Sequence, residues 1–210
     1  MKSKDEELLA RAYALDNDRD ALELYRDWAG TYDRSMVDGL GYLTPRKTAF
    51  MLSTYLEDRQ AQILDVGTGT GLAGSHLADL GYKTIDALDY SKEMLDVAAE
   101  RNIYRNFILA DLNEPLDIPD NSYDALICTG TFTHAHVGAA CLDELFRIMK
   151  PGGMFACTVQ KDVWETQGFA EKTRDLTQTG ISRTLGMIMD IYFENDEEPQ
   201  GWYITWQCCK

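Results

Sequence analysis

Three glycines alternate through residues 67–71, directly behind an apolar run that closes on a carboxylate: Ile63-Leu64-Asp65-Val66-Gly67-Thr68-Gly69-Thr70-Gly71-Leu72-Ala73-Gly74. Lacking a Cβ, glycine lets the backbone turn tightly and approach a ligand closely. Leu72, Ala73, Leu77 and Leu80 then recur with helical spacing. Strand, glycine turn and helix in that order describe the first βα unit of an α/β sheet, with a nucleotide-like ligand held at the turn. A turn that merely packed a core would account poorly for glycine at Gly67, Gly69 and Gly71 after an acidic strand end.

Charge separates two candidate ligands. A G-x-G-x-x-G stands at Gly69, Gly71 and Gly74, with Asp89 20 residues after Gly69, as a dinucleotide site requires. There, however, a pyrophosphate would sit on the turn and the helix N-terminus. Asp65 would add negative charge beside it, and no Lys or Arg lies between Gln60 and Tyr82 to offset that charge. S-adenosylmethionine carries no phosphate; its ammonium and sulfonium are cations that a nearby Asp65 would favour. The strand also ends immediately before Gly67 rather than Gly69. The residues therefore favour S-adenosylmethionine over NAD, with contacts expected from Asp65, Gly67, Thr68, Gly69 and Gly71.

The following segments fit that plan. Residues 83–88 read as a second strand with Asp89 at its carboxyl end, where a carboxylate can accept both ribose hydroxyls. A turn carboxylate is the plainer alternative for Asp89. Ser91 is placed to cap a helix whose apolar face is Met94, Leu95, Val97 and Ala98. Tyr90 and Met94 are candidates to pack on adenine, or else core. A third strand over 107–110 delivers Asp111 and Leu112 toward the adenine amino group. A fourth, over 125–128, ends at Thr129-Gly130, facing the methionine end of the cofactor. A helix from about Gly138 to Met149 should stop at Lys150-Pro151-Gly152-Gly153 before a fifth strand over 154–159.

Together these segments resemble the class I S-adenosylmethionine-dependent methyltransferases. Leu64 to Gly71 is similar to the family's glycine motif, Asp89-Tyr90-Ser91 to its acidic motif, and Glu144 to Gly153 to the stretch before its fifth strand. Within the family the chain is most similar to the methyltransferase-like proteins named after the Williams-Beuren region. The resemblance implies a Rossmann-like seven-stranded α/β sheet with helices on both faces and a C-terminal antiparallel hairpin. It also implies S-adenosylmethionine as cofactor and S-adenosylhomocysteine as product. The hairpin has separate support in two strand-like runs, 185–193 and 201–208, joined by turn residues 194–200. In the second run Trp202, Ile204, Trp206 and Cys208 alternate with Tyr203, Thr205 and Gln207.

At 210 residues and 45% hydrophobic, the chain suffices for one substantial core. The expectation is one domain over 1–210, with a helical lid over 1–44 and a cofactor-binding core over 45–210. In relatives, a segment like Trp28-Ala29-Gly30-Thr31-Tyr32-Asp33 folds over the cofactor. Trp28 and Tyr32 would exclude water and offer π-faces to the sulfonium methyl. A buried aromatic stripe is the alternative, since Tyr25, Trp28 and Tyr32 share helical spacing. Thr31 and Gly39-Leu40-Gly41 would allow the segment to bend.

A sulfonium is a good leaving group, so a general base is needed only for a hydroxyl or protonated amine acceptor. His134 and His136, after the fourth strand, are the candidates by position; His76 lies in the glycine-loop helix. Simple loop histidines are the plainer reading, so the catalytic residue stays unassigned. His-x-His lacks a third ligand, and no metal is expected. The five cysteines lack metal spacing and read as reduced thiols of a cytoplasmic protein; Cys208-Cys209 fits no pattern. No run is long enough to span a bilayer, and no signal peptide is seen. A net charge of −15 disfavours nucleic acid and points weakly to neutral or cationic small-molecule acceptors. Three classes stay open: a small-molecule methyltransferase, an S-adenosylmethionine-binding protein without turnover, and an NAD-dependent oxidoreductase.

Overall fold

The computed structural model describes residues 9–10, 28, 31–133 and 137–210. A π-helical turn over Arg34–Gly39 is followed by α1 (Thr44–Tyr55), β1 (Gln62–Val66), α2 (Leu72–Asp79), β2 (Thr84–Asp89), α3 (Lys92–Ala99) and β3 (Tyr104–Leu109). Then come β4 (Tyr123–Phe132), α4 (Cys141–Ile148), β5 (Met149–Gln160), α5 (Lys161–Thr166), α6 (Phe169–Gln178), β6 (Ser182–Asp190) and β7 (Gly201–Cys208). The seven strands form one sheet in the order β3-β2-β1-β4-β5-β7-β6. The first five neighbours pair in parallel, while β7 is antiparallel to both β5 and β6. This is the sheet implied by the family resemblance, hairpin included.

Alternation along β1 assigns the two layers. Leu64 and Val66 face a cluster that includes Leu126, Phe146, Phe155 and Trp206. Ile63 faces the opposite cluster, built with Leu52 of α1 and Leu77 of α2. Asp65 shares the parity of Ile63 and so points toward the α1–α2 layer rather than across the sheet. Strand order then reverses on either side of β1, which puts a crevice beyond the carboxyl ends of β1 and β4.

Several boundaries differ from the sequence expectation for identifiable reasons. Strand β5 begins at Met149, five residues early: Met149 already pairs with Tyr123, and pairing resumes at Met154 opposite Ala125. Lys150-Pro151-Gly152-Gly153 is therefore an irregularity within the strand, anchored by the Lys150–Asp124 ion pair at 2.8 Å. A Cβ on Gly153 would lie 3.0 Å from the Asp124 carbonyl oxygen, so this close approach requires glycine. Helix α4 is shorter than expected because its preceding residues serve the loop, Ala139 N–H donating to the Gln167 carbonyl. Strand β6 lies three residues earlier than the run 185–193, because Asp196 takes the N–H groups of Tyr192 and Phe193 at 3.0 and 2.9 Å and turns the chain off the edge. Strand β7 loses the buried–exposed alternation read from its sequence: covered on both faces, with Ile204 and Trp206 in one cluster and Tyr203 in another, it buries Tyr203, Ile204, Thr205 and Trp206 alike.

Candidate active site

Glycine conformation shapes the loop after β1. Gly67, Gly69 and Gly71 all have positive φ, at 65°, 55° and 88°, where side chains are strained. The loop is stitched to the end of β2. Gly67 and Thr68 donate their N–H groups to the Leu88 carbonyl at 2.8 and 3.0 Å. Gly69 donates to Asp89 Oδ2 at 2.7 Å, while Ser91 N–H reaches Oδ1 at 2.9 Å. Ser91 also caps α3 as expected, accepting from Met94 N–H at 3.2 Å. Burial pushes the Asp89 carboxyl up, and the N–H groups of Ser91, Gly69 and Tyr90 act against that rise.

Beyond this edge opens a cleft of about 950 Å³, open solvent at its mouth included. Of the residues singled out from sequence, Gly67, Thr68, Gly69, Asp89, Tyr90, Met94, Asp111, Leu112, Thr129 and Tyr32 line it. A Cβ on Gly69 would meet nothing within 4 Å, so that glycine faces open space, as a backbone that touches a ligand must. Asp111 is exposed and closes an Asx turn, accepting from Asn113 N–H at 2.9 Å.

The remaining site candidates lie elsewhere. Gly71 caps α2 instead of lining the cleft, packed where a Cβ would be 2.9 Å from Arg101 Cδ. Trp28 is 2% exposed in an aromatic cluster with Met36, Tyr192, Phe193 and Tyr203, its ring 4.8 Å from that of Tyr32. His134 and His136 fall outside the described residues. The bending expected at Gly39-Leu40-Gly41 meets opposition: Gly41 carbonyl accepts from Glu194 N–H at 3.0 Å, and Tyr42 bridges to Phe193.

Asp65 departs most from expectation. It is 1% exposed and does not line the cleft. Its Oδ2 accepts from Tyr104 Oη at 2.6 Å and from Gly74 N–H at 3.0 Å, in the first turn of α2. Burial pushes its carboxyl up to about 7, against the opposing Tyr104 and Gly74 hydrogen bonds. A Cβ on Gly74 would sit 2.1 Å from Tyr104 Oη, so glycine there makes room for this contact. Asp65 thus braces the loop from beneath. The loop is also not without a cation, since Arg101 Nε donates to the Thr70 carbonyl at 2.5 Å. Sequence distance hid that residue.

Sequence reading also missed Tyr42, Pro45, Thr131 and Val137, which complete the lining of the cleft, Thr131 packing against Gly67 itself. Only the positive φ of Gly130, 73°, had a sequence signal, in the Thr-Gly-Thr that interrupts β4. A Cβ there would be 2.7 Å from Tyr42 Oη. Among the described residues no group of His, Cys, Asp and Glu could hold a metal.

The residues present fit S-adenosylmethionine: an open glycine backbone, a strand-end carboxylate, apolar Leu112 and Met94, and tyrosines at the mouth. Comparison with known proteins agrees. Residues 64–157 match the methyltransferase domain family. The chain is 32% identical over 142 residues to Methyltransferase-like protein 27 of Homo sapiens, covering 66% of this chain and 57% of that protein. It is 36% identical over 109 residues to the 18S rRNA (guanine-N(7))-methyltransferase of Bos taurus, covering 50% and 38%. The chain thus spans little more than half, or less, of these relatives' length. Its fold matches the solved complex between the Haloferax volcanii Trm112 methyltransferase activator and a methyltransferase, with TM-score 0.65, 21% identity, and coverage of 88% and 97%. It also matches an S-adenosylmethionine-dependent methyltransferase structure from Methanococcus maripaludis, with TM-score 0.60, 18% identity, and coverage of 92% and 94%. Sequence match and sheet order converge: residues 64–157 match the methyltransferase domain family, and the seven-stranded sheet has the class I methyltransferase fold.

Proposed function

We propose that this chain transfers the methyl group of S-adenosylmethionine to a small-molecule acceptor by in-line displacement, leaving S-adenosylhomocysteine. The observation that carries the proposal is the Asp89 carboxylate, held by Gly69 and Ser91 N–H groups on the wall of an open cleft beside a glycine backbone. A carboxylate has lone pairs for more than these two donors, so Asp89 can also accept ribose hydroxyls. Asp111 and Leu112 would meet the adenine edge, and Tyr90 and Met94 its faces. Thr129 would take the methionine end.

Bound S-adenosylmethionine supplies an electrophilic methyl with a neutral thioether as leaving group. The protein's part is orientation and exclusion of water. Tyr32 and Tyr42 supply π-faces at the mouth. Residues 1–44 act as a lid on the core formed by 45–210. No catalytic base is assigned; an acceptor that is already nucleophilic requires none. His134 and His136, which follow β4 in the sequence, are the candidates should an acceptor require a base.

A net charge of −15 supports a neutral or cationic small acceptor over nucleic acid. Among the described residues no helix is long and apolar enough to cross a membrane, and all five cysteines are free thiols. Both features support a cytoplasmic enzyme.

Calorimetric titration with S-adenosylmethionine, S-adenosylhomocysteine and NAD in parallel tests the reading. Both sulfur ligands should bind and NAD should not. Asp89→Ala should weaken binding about a hundredfold, or about 2.7 kcal/mol, as the ribose hydroxyls lose a charged acceptor. Binding of NAD alone would replace the proposal with an oxidoreductase. A subsequent screen of small acceptors, with an RNA arm, separates turnover from binding and tests the acceptor class.

A further inference from the structure

Arg101, just beyond α3, reaches back over the glycine loop and spends its guanidinium on three segments. Nε donates to the Thr70 carbonyl at 2.5 Å, Nη1 to Ser75 Oγ at 3.0 Å, and Nη2 to Asp33 Oδ2. The other Asp33 oxygen accepts from Thr70 Oγ1 at 2.5 Å. Thr70 is therefore bracketed, its carbonyl by Arg101 and its hydroxyl by Asp33. It is 1% exposed and forms part of the cleft wall. Tyr32, the neighbour of Asp33, lines the same cleft.

We propose that Arg101 is a positioning residue that couples the N-terminal segment to the glycine loop, so that placing Tyr32 over the cleft and setting the loop for the cofactor become one event. Two of the three guanidinium contacts are to the loop and its helix, so the fork is oriented before Asp33 arrives. Gly71 packs directly on the Arg101 side chain, and any shift of the loop displaces the guanidinium. The Arg101 and Asp33 side chains are 22% and 42% exposed, and an isolated pair at such exposure contributes little to stability. The coupling instead lies in the shared residue Thr70, which neither partner can hold alone at both ends. The inference rests on reading the cleft as the S-adenosylmethionine site.

The test is a double-mutant cycle with Arg101→Gln and Asp33→Asn, titrated with S-adenosylhomocysteine. Trypsin cleavage after the exposed Arg34 is followed by mass spectrometry with and without that ligand. Each single variant should lose about tenfold in affinity, and the double variant no more than either single, as expected for residues acting through one contact. The ligand should slow the Arg34 cut in the wild type and not in the variants. Affinities within twofold of wild type, or losses that simply add, overturn the coupling while leaving the cofactor assignment intact. A wild-type chain that binds no S-adenosylhomocysteine overturns both. Asp33→Asn changes a partly exposed residue at similar volume and keeps the test decisive if Arg101→Gln does not fold.

Discussion

The two walls of the cleft are made from different materials. One is backbone: the N–H groups of Gly67 and Thr68 are tied to the Leu88 carbonyl and that of Gly69 to the Asp89 carboxylate. The other is side chain: Tyr32, Tyr42 and Pro45, from the segment before β1, meet Val137, beyond β4, only in the folded protein. A backbone wall suits a ligand that never changes, because its geometry survives most substitutions. A side-chain wall can be re-cut one residue at a time without disturbing the sheet. On the proposed function, the first holds the cofactor and the second selects the acceptor.

Gly67→Ala tests the first wall hardest. The residue has φ of 65°, and an added Cβ would fall 2.0 Å from Thr131 Oγ1. Left-handed strain of about 1–2 kcal/mol should lower the melting temperature by roughly 2–8 °C. Calorimetry should show cofactor affinity down by more than about a hundredfold. Retained affinity would mean that the loop adapts as freely as side chains do.

Tyr42→Ala should do the reverse. Its ring packs 5.2 Å from Phe193, so about 1 kcal/mol of stability is lost, read from urea unfolding. Cofactor affinity should stay within about threefold, whereas kcat/KM for the acceptor should fall about tenfold. Equal losses on both ligands would erase the distinction between the walls.

A third effect depends on pH and concerns Asp65 beneath the loop. Its folded carboxyl is held near 7 rather than 3.8, so the folded protein binds this proton more tightly than the unfolded chain. The stability it contributes is full below pH 4 and is lost as pH rises to about 7. Asp65→Asn cannot ionise, and its carbonyl can still accept from Gly74 and Tyr104. Urea midpoints compared across pH 4 to 8 should show wild type losing ground to the variant up to about pH 7, then running parallel. Parallel curves throughout would mean that Asp65 is ionised from the start.

Legibility in the sequence followed the same division. Gly67, Gly69, Asp89 and the Ser91 cap were readable because each meets a local backbone demand. Asp65 was placed at the right strand end, but the argument weighed its charge and not its parity with Ile63, which sends it under α2. Helical spacing of Trp28 and Tyr32 showed that they sit near one another, not that one would be buried and the other turned to the cleft. Arg101 gave no signal at all. Its role exists only because α3 returns the chain to Thr70, 31 residues earlier.

Strand β7 carries a consequence for synthesis. It is made after β6, yet it lies between β5 and β6 and supplies the strand pairing of β6. Until residues 201–208 emerge, β6 has no neighbour to join in the sheet; its Leu185 and Met189, half-buried in the finished fold, wait in water, while Met187 and Ile188 stay exposed even afterwards. The parallel half can assemble first, and β7 is then inserted against the β5 edge with β6 as its hairpin partner on the other side. A nascent chain stalled between β6 and β7 would be a sticky, unfinished sheet, and the speed of that final insertion sets how long the cell must guard it.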